Sequence, residues 1–372
     1  MAKLLYASSH DKDMKYLVKA DIPDSFFLIQ KENNKYIYLD QREIGAFLES
    51  NQDPNIQCLA LEQVLEESKK NEDEANTLQK LAFYLISKHE VENEIIEVPI
   101  SLNLGIVDYL RSKGIILEPK DPLIPERSKK DSQEVACIKK ALIGTQKAYR
   151  CIEKILKESK IVGDEIIYEE KVLTSEILKL ESERAMLEEG LFDIEGMIIS
   201  SGKQSAMPHH RGHGIIRPHQ PIICDLFPWH RNSGYWADMT RTYIKGQPSE
   251  EILAIYESVK RAQQAGIDFA KAGVKNVDVH KKVEEVFLKD GFDIEGKGFI
   301  HGTGHGLGLD IHEQPYINKS AGDKVLEVGN VVTIEPGLYY PELGGVRIED
   351  VVLITEDGCE NLTNYPKEFV IL

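Results

Sequence analysis

The chain has 372 residues, of which 42% are hydrophobic and 29% charged, and it carries a formal net charge of −17 at pH 7. That length suggests two domains, each with apolar content enough for a core. The excess negative charge argues against nucleic acid or an anionic membrane as a partner, since both would be repelled. No apolar run approaches the roughly 18 residues of a membrane span, and Met1-Ala2-Lys3-Leu4-Leu5 leads into polar sequence without a secretory core. The five cysteines, Cys58, Cys137, Cys151, Cys224 and Cys359, are widely spaced and include no close metal-binding pair. A reducing, cytoplasmic setting is expected.

Taken in chain order, short apolar runs at 26–29 and 36–39 flank a turn at Glu32-Asn33-Asn34, and 73–89 has the pattern of a helix. This alternation predicts an α/β amino-terminal domain. Two prolines and a charge run in Asp121-Pro122-Leu123-Ile124-Pro125-Glu126-Arg127-Ser128-Lys129-Lys130 then interrupt it as a linker would. The boundary is placed near Ser128, giving domains 1–128 and 129–372. Asp131, three residues before Glu134, predicts a capping box opening a helix toward Glu158. Further helices are predicted at 175–188, at 250–270 with Ser249 as N-cap, and at 277–288. Strand pairs are predicted at 222–243 and 331–353.

The two strand pairs carry four carboxylates. Asp225 lies in Cys224-Asp225-Leu226, Asp238 in Trp236-Ala237-Asp238-Met239-Thr240-Arg241, Glu335 in Ile334-Glu335-Pro336-Gly337 and Glu349 in Arg347-Ile348-Glu349-Asp350. If Asp225 faces Asp238 across a hairpin, its midpoint falls between Arg231 and Asn232, inside turn composition. If Glu335 faces Glu349, the midpoint is Glu342, within Pro341-Glu342-Leu343-Gly344-Gly345. Directly opposed residues hold their Cβ atoms about 4.5–5.5 Å apart, so each pair of anions asks for a cation. Strand alternation puts Arg347 on the face of Glu349, where it can orient a carboxylate, and Ile348 on the other. Thr240 shares a face with Asp238 and is a candidate hydrogen-bond partner for it.

Four carboxylates balance two divalent ions, and a neutral imidazole from His305, in His301-Gly302-Thr303-Gly304-His305-Gly306-Leu307-Gly308, would complete the set. Oxygen-rich ligation with one histidine suits Mn2+; Co2+ and Zn2+ are the other candidates. The glycines around His305 make sense where backbone must approach a ligand closely, in a loop or irregular strand. Cys224, in the apolar run Pro221-Ile222-Ile223-Cys224, is read as a core residue.

These five phrases resemble the ligand motifs of the pita-bread metallopeptidases, family M24, which includes aminopeptidase P, prolidase and methionine aminopeptidase. The second domain carries the resemblance in detail. The first is similar to the creatinase-like amino-terminal domain of the proline-specific members, which methionine aminopeptidases lack. The resemblance implies an α+β pita-bread catalytic domain with two pseudo-twofold halves. Metal ligands would be Asp225, Asp238, His305, Glu335 and Glu349, and Glu335 would also accept and return a proton. His301 and His312 would flank the reacting peptide bond, and His209 would contact the substrate. The implied reaction is hydrolysis of an amino-terminal Xaa-Pro bond by a metal-bridged hydroxide, as in aminopeptidase P, by a homodimer acting on peptides with proline second. Prolidase is the alternative, and a non-catalytic binding protein on the same fold a more distant one. The chain departs from the family at Leu226-Phe227, where a small residue and then glycine usually follow the first aspartate, so the shape of the entrance does not carry over. His10, His89, His210, His213, His219, His230 and His280 lack motif support and are expected on the surface or in loops.

Overall fold

The computed structural model describes residues 1–69, 74–367 and 369–371. The chain divides into two compact units, Met1–Arg127 and Ser128–Leu372.

In the first unit a six-stranded sheet runs in the order Ile56–Ala60, Asn34–Leu39, Phe26–Lys31, Ala2–Ala7, Ile95–Pro99, Ile116–Lys120, with parallel and antiparallel neighbours. The continuous apolar run at 26–29 is explained by helices on both faces, because successive side chains point opposite ways. Phe27 and Ile29 pack with Leu81, Leu85, Ile106 and Leu110 on one face. Phe26 and Leu28 pack with Met14, Leu17 and Phe47 on the other. The helix predicted at 73–89 spans Thr77–Lys88, opened by a capping box between Asn76 and Gln79; Asp73 lies outside the described residues.

In the second unit the capping box at Asp131 is complete. The Glu134 N–H donates to Asp131 Oδ1 at 2.8 Å and the Asp131 N–H donates to Glu134 Oε2 at 2.9 Å, opening the helix Ser132–Glu158. The other main helices are Ser175–Leu187, Glu250–Phe269 and Asn276–Lys289. One sheet orders Ile198–Ser201, Ile222–Leu226, Met239–Lys245 and Val370–Ile371. The other orders Glu313–Ile317, Gly304–Gly306, Val331–Ile334, Asp350–Ile354 and Cys359–Asn361, and Gly337–Tyr340 pairs separately with Gly344–Arg347. A bridge between Thr240 and Glu349 joins the two strand pairs. No helix among the described residues is long and apolar enough to cross a membrane.

The two strand pairs treat the midpoint argument differently. In the second, Ile334 opposes Asp350 and Gly337 opposes Arg347, so Glu335 and Glu349 face each other about Glu342. In the first, Asp225 opposes Thr240, not Asp238. The register is shifted by two because the tip is longer, with Trp229 bridging Trp236 and the His230 N–H bonded to the Tyr235 carbonyl. A shift of two preserves side-chain parity, so both aspartates still share one face.

Beneath that face the Arg241 guanidinium, 1% exposed, ties the halves together. It donates to the carbonyls of Thr240, Glu349, Tyr365 and Pro366 and to Asp350 Oδ1, the last at 2.8 Å. Lys367 pairs with the other Asp350 oxygen at 2.8 Å. Removing one partner of a buried ion pair leaves the remaining charge and carbonyls without compensation. Arg241→Met is therefore expected to lower unfolding free energy by about 3–5 kcal/mol, measured by urea denaturation. A loss under about 1 kcal/mol, the range of an exposed pair, would contradict this.

Candidate metal and peptide site

Both strand pairs and the glycine-rich strand deliver their polar side chains to one pocket. Asp225 lies within Ile222–Leu226, Asp238 just before Met239–Lys245, and His305 at the centre of Gly304–Gly306. Glu335 directly follows Val331–Ile334 and Glu349 directly precedes Asp350–Ile354. All five line a cavity of about 540 Å³. Asp225, Asp238, His305 and Glu349 are 8%, 4%, 6% and 1% exposed. Asp238, His305 and Glu349 each present a ligand atom within 4.8 Å of the others. His305 Nε2 lies 3.3 Å from Glu335 Oε1 and 3.6 Å from Asp238 Oδ2.

Two carboxylates at the base are half satisfied. Asp225 Oδ2 accepts from Arg347 Nη2 at 2.7 Å, and Glu349 Oε2 accepts from Thr240 Oγ1 at 2.7 Å. Asp225 Oδ1 and Glu349 Oε1 are buried with no hydrogen-bond partner. Orphaned buried anionic oxygens are costly. Oxygens fixed at one end and open at the other, gathered beside an imidazole, are the donor set of a divalent-cation site. Thr240 thus serves Glu349, not Asp238, because the register shift carries its hydroxyl past Asp238 to the bridge with Glu349.

The pKa pattern follows from the same crowding. Burial, then the charges of Glu349 and Asp225, push the Asp238 carboxyl well up. Burial, then Glu335 and Asp225, do the same to Glu349. Asp225 is raised by burial, partly offset by Arg347. Glu335 alone moves down, to about 2: burial opposes ionisation, but the hydrogen bond and charge of His305 prevail. Burial lowers His301 to about 4 and also lowers His312, with His305 adding to the latter.

A second polar layer holds the first. Arg347 Nη1 donates to the Tyr339 hydroxyl at 2.7 Å, and that hydroxyl lies 2.9 Å from His301 Nε2. Since it accepts from Arg347, its own proton points to His301, whose Nδ1 faces the Gly302 carbonyl at 2.7 Å. His301 is thereby set as the Nδ1–H tautomer. The ring of His312 meets that of His305 edge-on at 4.3 Å, and His209 lines the same cavity. All eight residues expected at the site, the four carboxylates and the His305 imidazole together with His209, His301 and His312, are gathered there, as is Arg347.

Tyr339 is a residue that motif reasoning missed; its only signal was alternation with Gly337 on the strand after Glu335. The glycines beside His305 answer a different need from the one expected. A Cβ at Gly304 would stand 1.9 Å from the Thr333 carbonyl oxygen and one at Gly306 would stand 2.3 Å from that of Gln314, so the close approach is to neighbouring strands, not to a ligand. Three histidines expected at the surface are not there. His280 is 1% and His230 4% exposed, and His89 is half-buried against Tyr36 and Tyr38. Helical and hairpin position hid this, because burial of a lone histidine depends on what packs over it.

Comparison with known proteins agrees with this geometry. The model of metallopeptidase family M24 matches residues 136–356. The chain belongs to that family of hydrolases and has its pita-bread fold. It is 34% identical over 281 residues to the Xaa-Pro dipeptidase of Pyrococcus furiosus, covering 73% of this chain and 74% of that one. Matches to other curated relatives, at 36% to 39% identity, span about half of this chain and about half of theirs. Among solved structures, the prolidase from Pyrococcus furiosus superposes with a TM-score of 0.76 at 27% identity, covering 98% of this chain and 96% of that one. The X-Pro aminopeptidase from Thermotoga maritima is similar in fold, with a TM-score of 0.77 at 23% identity, covering 100% of this chain and 97% of that one.

The charge pattern makes metal binding and pH interdependent. Asp225, Asp238 and Glu349 have folded pKa values above their unfolded ones. The stability they leave intact below the ordinary carboxylate range is lost as pH rises through the folded values. Glu335 runs oppositely, and its contribution is already complete near neutrality. With three groups against one, chelated protein is expected to lose stability between pH 5 and pH 8. Saturating Mn2+ should raise the thermal midpoint by roughly 5–10 °C, more at pH 8 than at pH 5. A midpoint indifferent to both chelator and Mn2+ would show that the cluster holds no ion.

Proposed function

We propose that the protein is a metal-dependent Xaa-Pro dipeptidase. The observation that carries this reading is the half-satisfied carboxylate set at the base of the pocket, in a chain 34% identical over most of its length to a protein described as an Xaa-Pro dipeptidase. The aminopeptidase expected from the motifs gives way to the dipeptidase that stood as its alternative. A feature of the pocket mouth supports the change. Arg211 lines the cavity, stands 5.4 Å from the Phe227 ring centroid, and has no ion-pair partner among the described residues. Among the described residues its guanidinium makes one hydrogen bond, to the Gly196 carbonyl, leaving N–H groups for the free carboxylate that distinguishes a dipeptide from a longer peptide.

Asp225, Asp238, His305, Glu335 and Glu349 would hold two divalent ions, with Mn2+ preferred by the oxygen-rich set. Bound there, such ions would activate a water and polarise the peptide carbonyl. Glu335, ionised throughout the neutral range, would accept the proton of the attacking water and pass it to the leaving proline nitrogen. That nitrogen belongs to a tertiary amide without an N–H, so it must gain a proton to leave. Arg347 would hold Asp225 in place. His301 and His312, kept neutral by burial, would line the reacting bond, and His209 would meet the substrate at the rim.

Hydrolysis of Xaa-Pro dipeptides is expected to exceed that of Xaa-Pro-Xaa tripeptides and of Xaa-Ala dipeptides when Mn2+ is supplied. Glu335→Gln should lose at least ~100-fold in kcat. Arg211→Ala should raise KM roughly tenfold for the dipeptide, consistent with ~1.5 kcal/mol for a hydrogen bond to a charged group. It should leave the dipeptide amide unaffected. Faster cleavage of the tripeptide would restore the aminopeptidase reading. No cleavage of any proline peptide in any divalent metal would end both.

A further inference from the structure

The helix Asn276–Lys289 buries an unexpected polar stripe. Asn276, His280 and Glu284 are four residues apart and share one face, next to the apolar Val279, Val283 and Phe287 of the core. Each of the three contacts the segment that carries the site histidines. Asn276 Nδ2 donates to the Tyr316 carbonyl at 3.2 Å. His280 Nδ1 lies 2.8 Å from Thr303 Oγ1. Glu284 Oε1 lies 2.9 Å from Lys319 Nζ and 3.4 Å from His280 Nε2.

Thr303 is where this stripe reaches the site. It is fully buried and two residues before His305; its N–H donates to the Ile317 carbonyl at 2.8 Å, and its own carbonyl accepts from the Glu335 N–H at 2.7 Å. One threonine thus holds the backbone of two candidate ligands, His305 on one strand and Glu335 on the next. The His280 tautomer follows from its neighbours. The anionic Glu284 beside Nε2 favours the proton there, so Nδ1 accepts the Thr303 hydroxyl proton. Burial, the dominant influence, keeps the ring neutral. A buried imidazole costs more desolvation than the apolar residues beside it. What it adds is direction, because a hydrogen bond fixes the Thr303 rotamer where a methyl group would not.

We propose that His280 is a positioning residue: backed by Glu284, it fixes Thr303, and through Thr303 the backbone that presents His305 and Glu335. The inference rests on the peptidase reading only for its kinetic consequence; the structural consequence is independent of it. The test compares the full-length protein with His280→Ala, His280→Asn and Thr303→Val, each with and without Mn2+. Four quantities are measured: amide hydrogen exchange at 303–305 and at Glu335, Mn2+ affinity by calorimetry, and kcat and KM on an Xaa-Pro dipeptide.

Partners that orient ligands from behind typically contribute 10–100-fold to metal affinity or activity. His280→Ala is expected to speed exchange at Glu335, weaken Mn2+ binding about tenfold and lower kcat about tenfold or more, with KM within about twofold. His280→Asn keeps an acceptor near the Nδ1 position and should recover much of each loss. Thr303→Val should reproduce His280→Ala. Overturning outcomes are a His280→Ala protein that loses only thermal stability, with exchange, affinity and kcat unchanged at a temperature where it is folded, or an Asn variant no better than Ala. Should His280→Ala not fold, Thr303→Val and His280→Asn decide by the same readouts. Wild-type protein inactive on every proline peptide would refute the peptidase reading, while exchange and affinity would still judge His280.

Discussion

Asp225, Asp238, Glu335 and Glu349 share one pocket, and among the described residues Arg347 is the one lysine or arginine that bonds any of them directly. That concentration of negative charge is the constraint from which the rest of the catalytic unit follows. Taking an anion out of water is favourable only when charge and hydrogen bonds replace the solvent. The protein supplies part of that replacement, through Arg347 and Thr240, and leaves one oxygen each on Asp225 and Glu349 open. Divalent cations would supply the remainder. A site so built would be destabilising when empty and would gain rigidity when filled.

Strand alternation gives neighbouring residues opposite fates. Glu349 and Asp350 are adjacent and both buried, yet the first is pushed up by burial and by other carboxylates. The second is held down because Arg241 and Lys367 outweigh its burial. Thr240 and Arg241 divide the same way on the facing strand: the hydroxyl serves Glu349 and the guanidinium serves Asp350. One face of the paired strands is therefore a closed ion-pair layer that fastens the fold, and the other is an open layer whose carboxylate oxygens face the candidate metal site. The closed layer holds the backbone on which the open one depends.

The rim of the pocket sets what reaches that chemistry. Phe227 stands two residues beyond Asp225, and its ring lies beside the Arg211 guanidinium. A large apolar ring and a cation together narrow the mouth and charge it. In a protein with a net charge of −17, a cation at this position with no ion-pair partner among the described residues is a local exception, and the proposed dipeptidase reading draws on it.

Much of this was legible in sequence. Asp225, Asp238, His305, Glu335 and Glu349 sit in short phrases whose chemistry and order are read without coordinates; the α/β character of the first unit followed from apolar periodicity, and the α+β character of the second from the resemblance of those phrases to a known family. The capping box at Asp131 and Glu134 and the register of Glu335 against Glu349 were likewise readable, because local geometry decides both. The register of Asp225 was not: hairpin length depends on how Trp229, Trp236 and the tip close, which composition does not specify. Nor was Tyr339 or His280, whose significance lies in contacts with residues 38 and 23 positions away. The glycines of 302–308 show the same division. Their spacing announced a close backbone approach, but only packing decided that the neighbours are the carbonyls of Thr333 and Gln314. Residue chemistry and short-range geometry are carried by the chain itself, whereas which carboxylate is neutralised, which histidine is buried and which cation stays free are set by partners brought together only on folding.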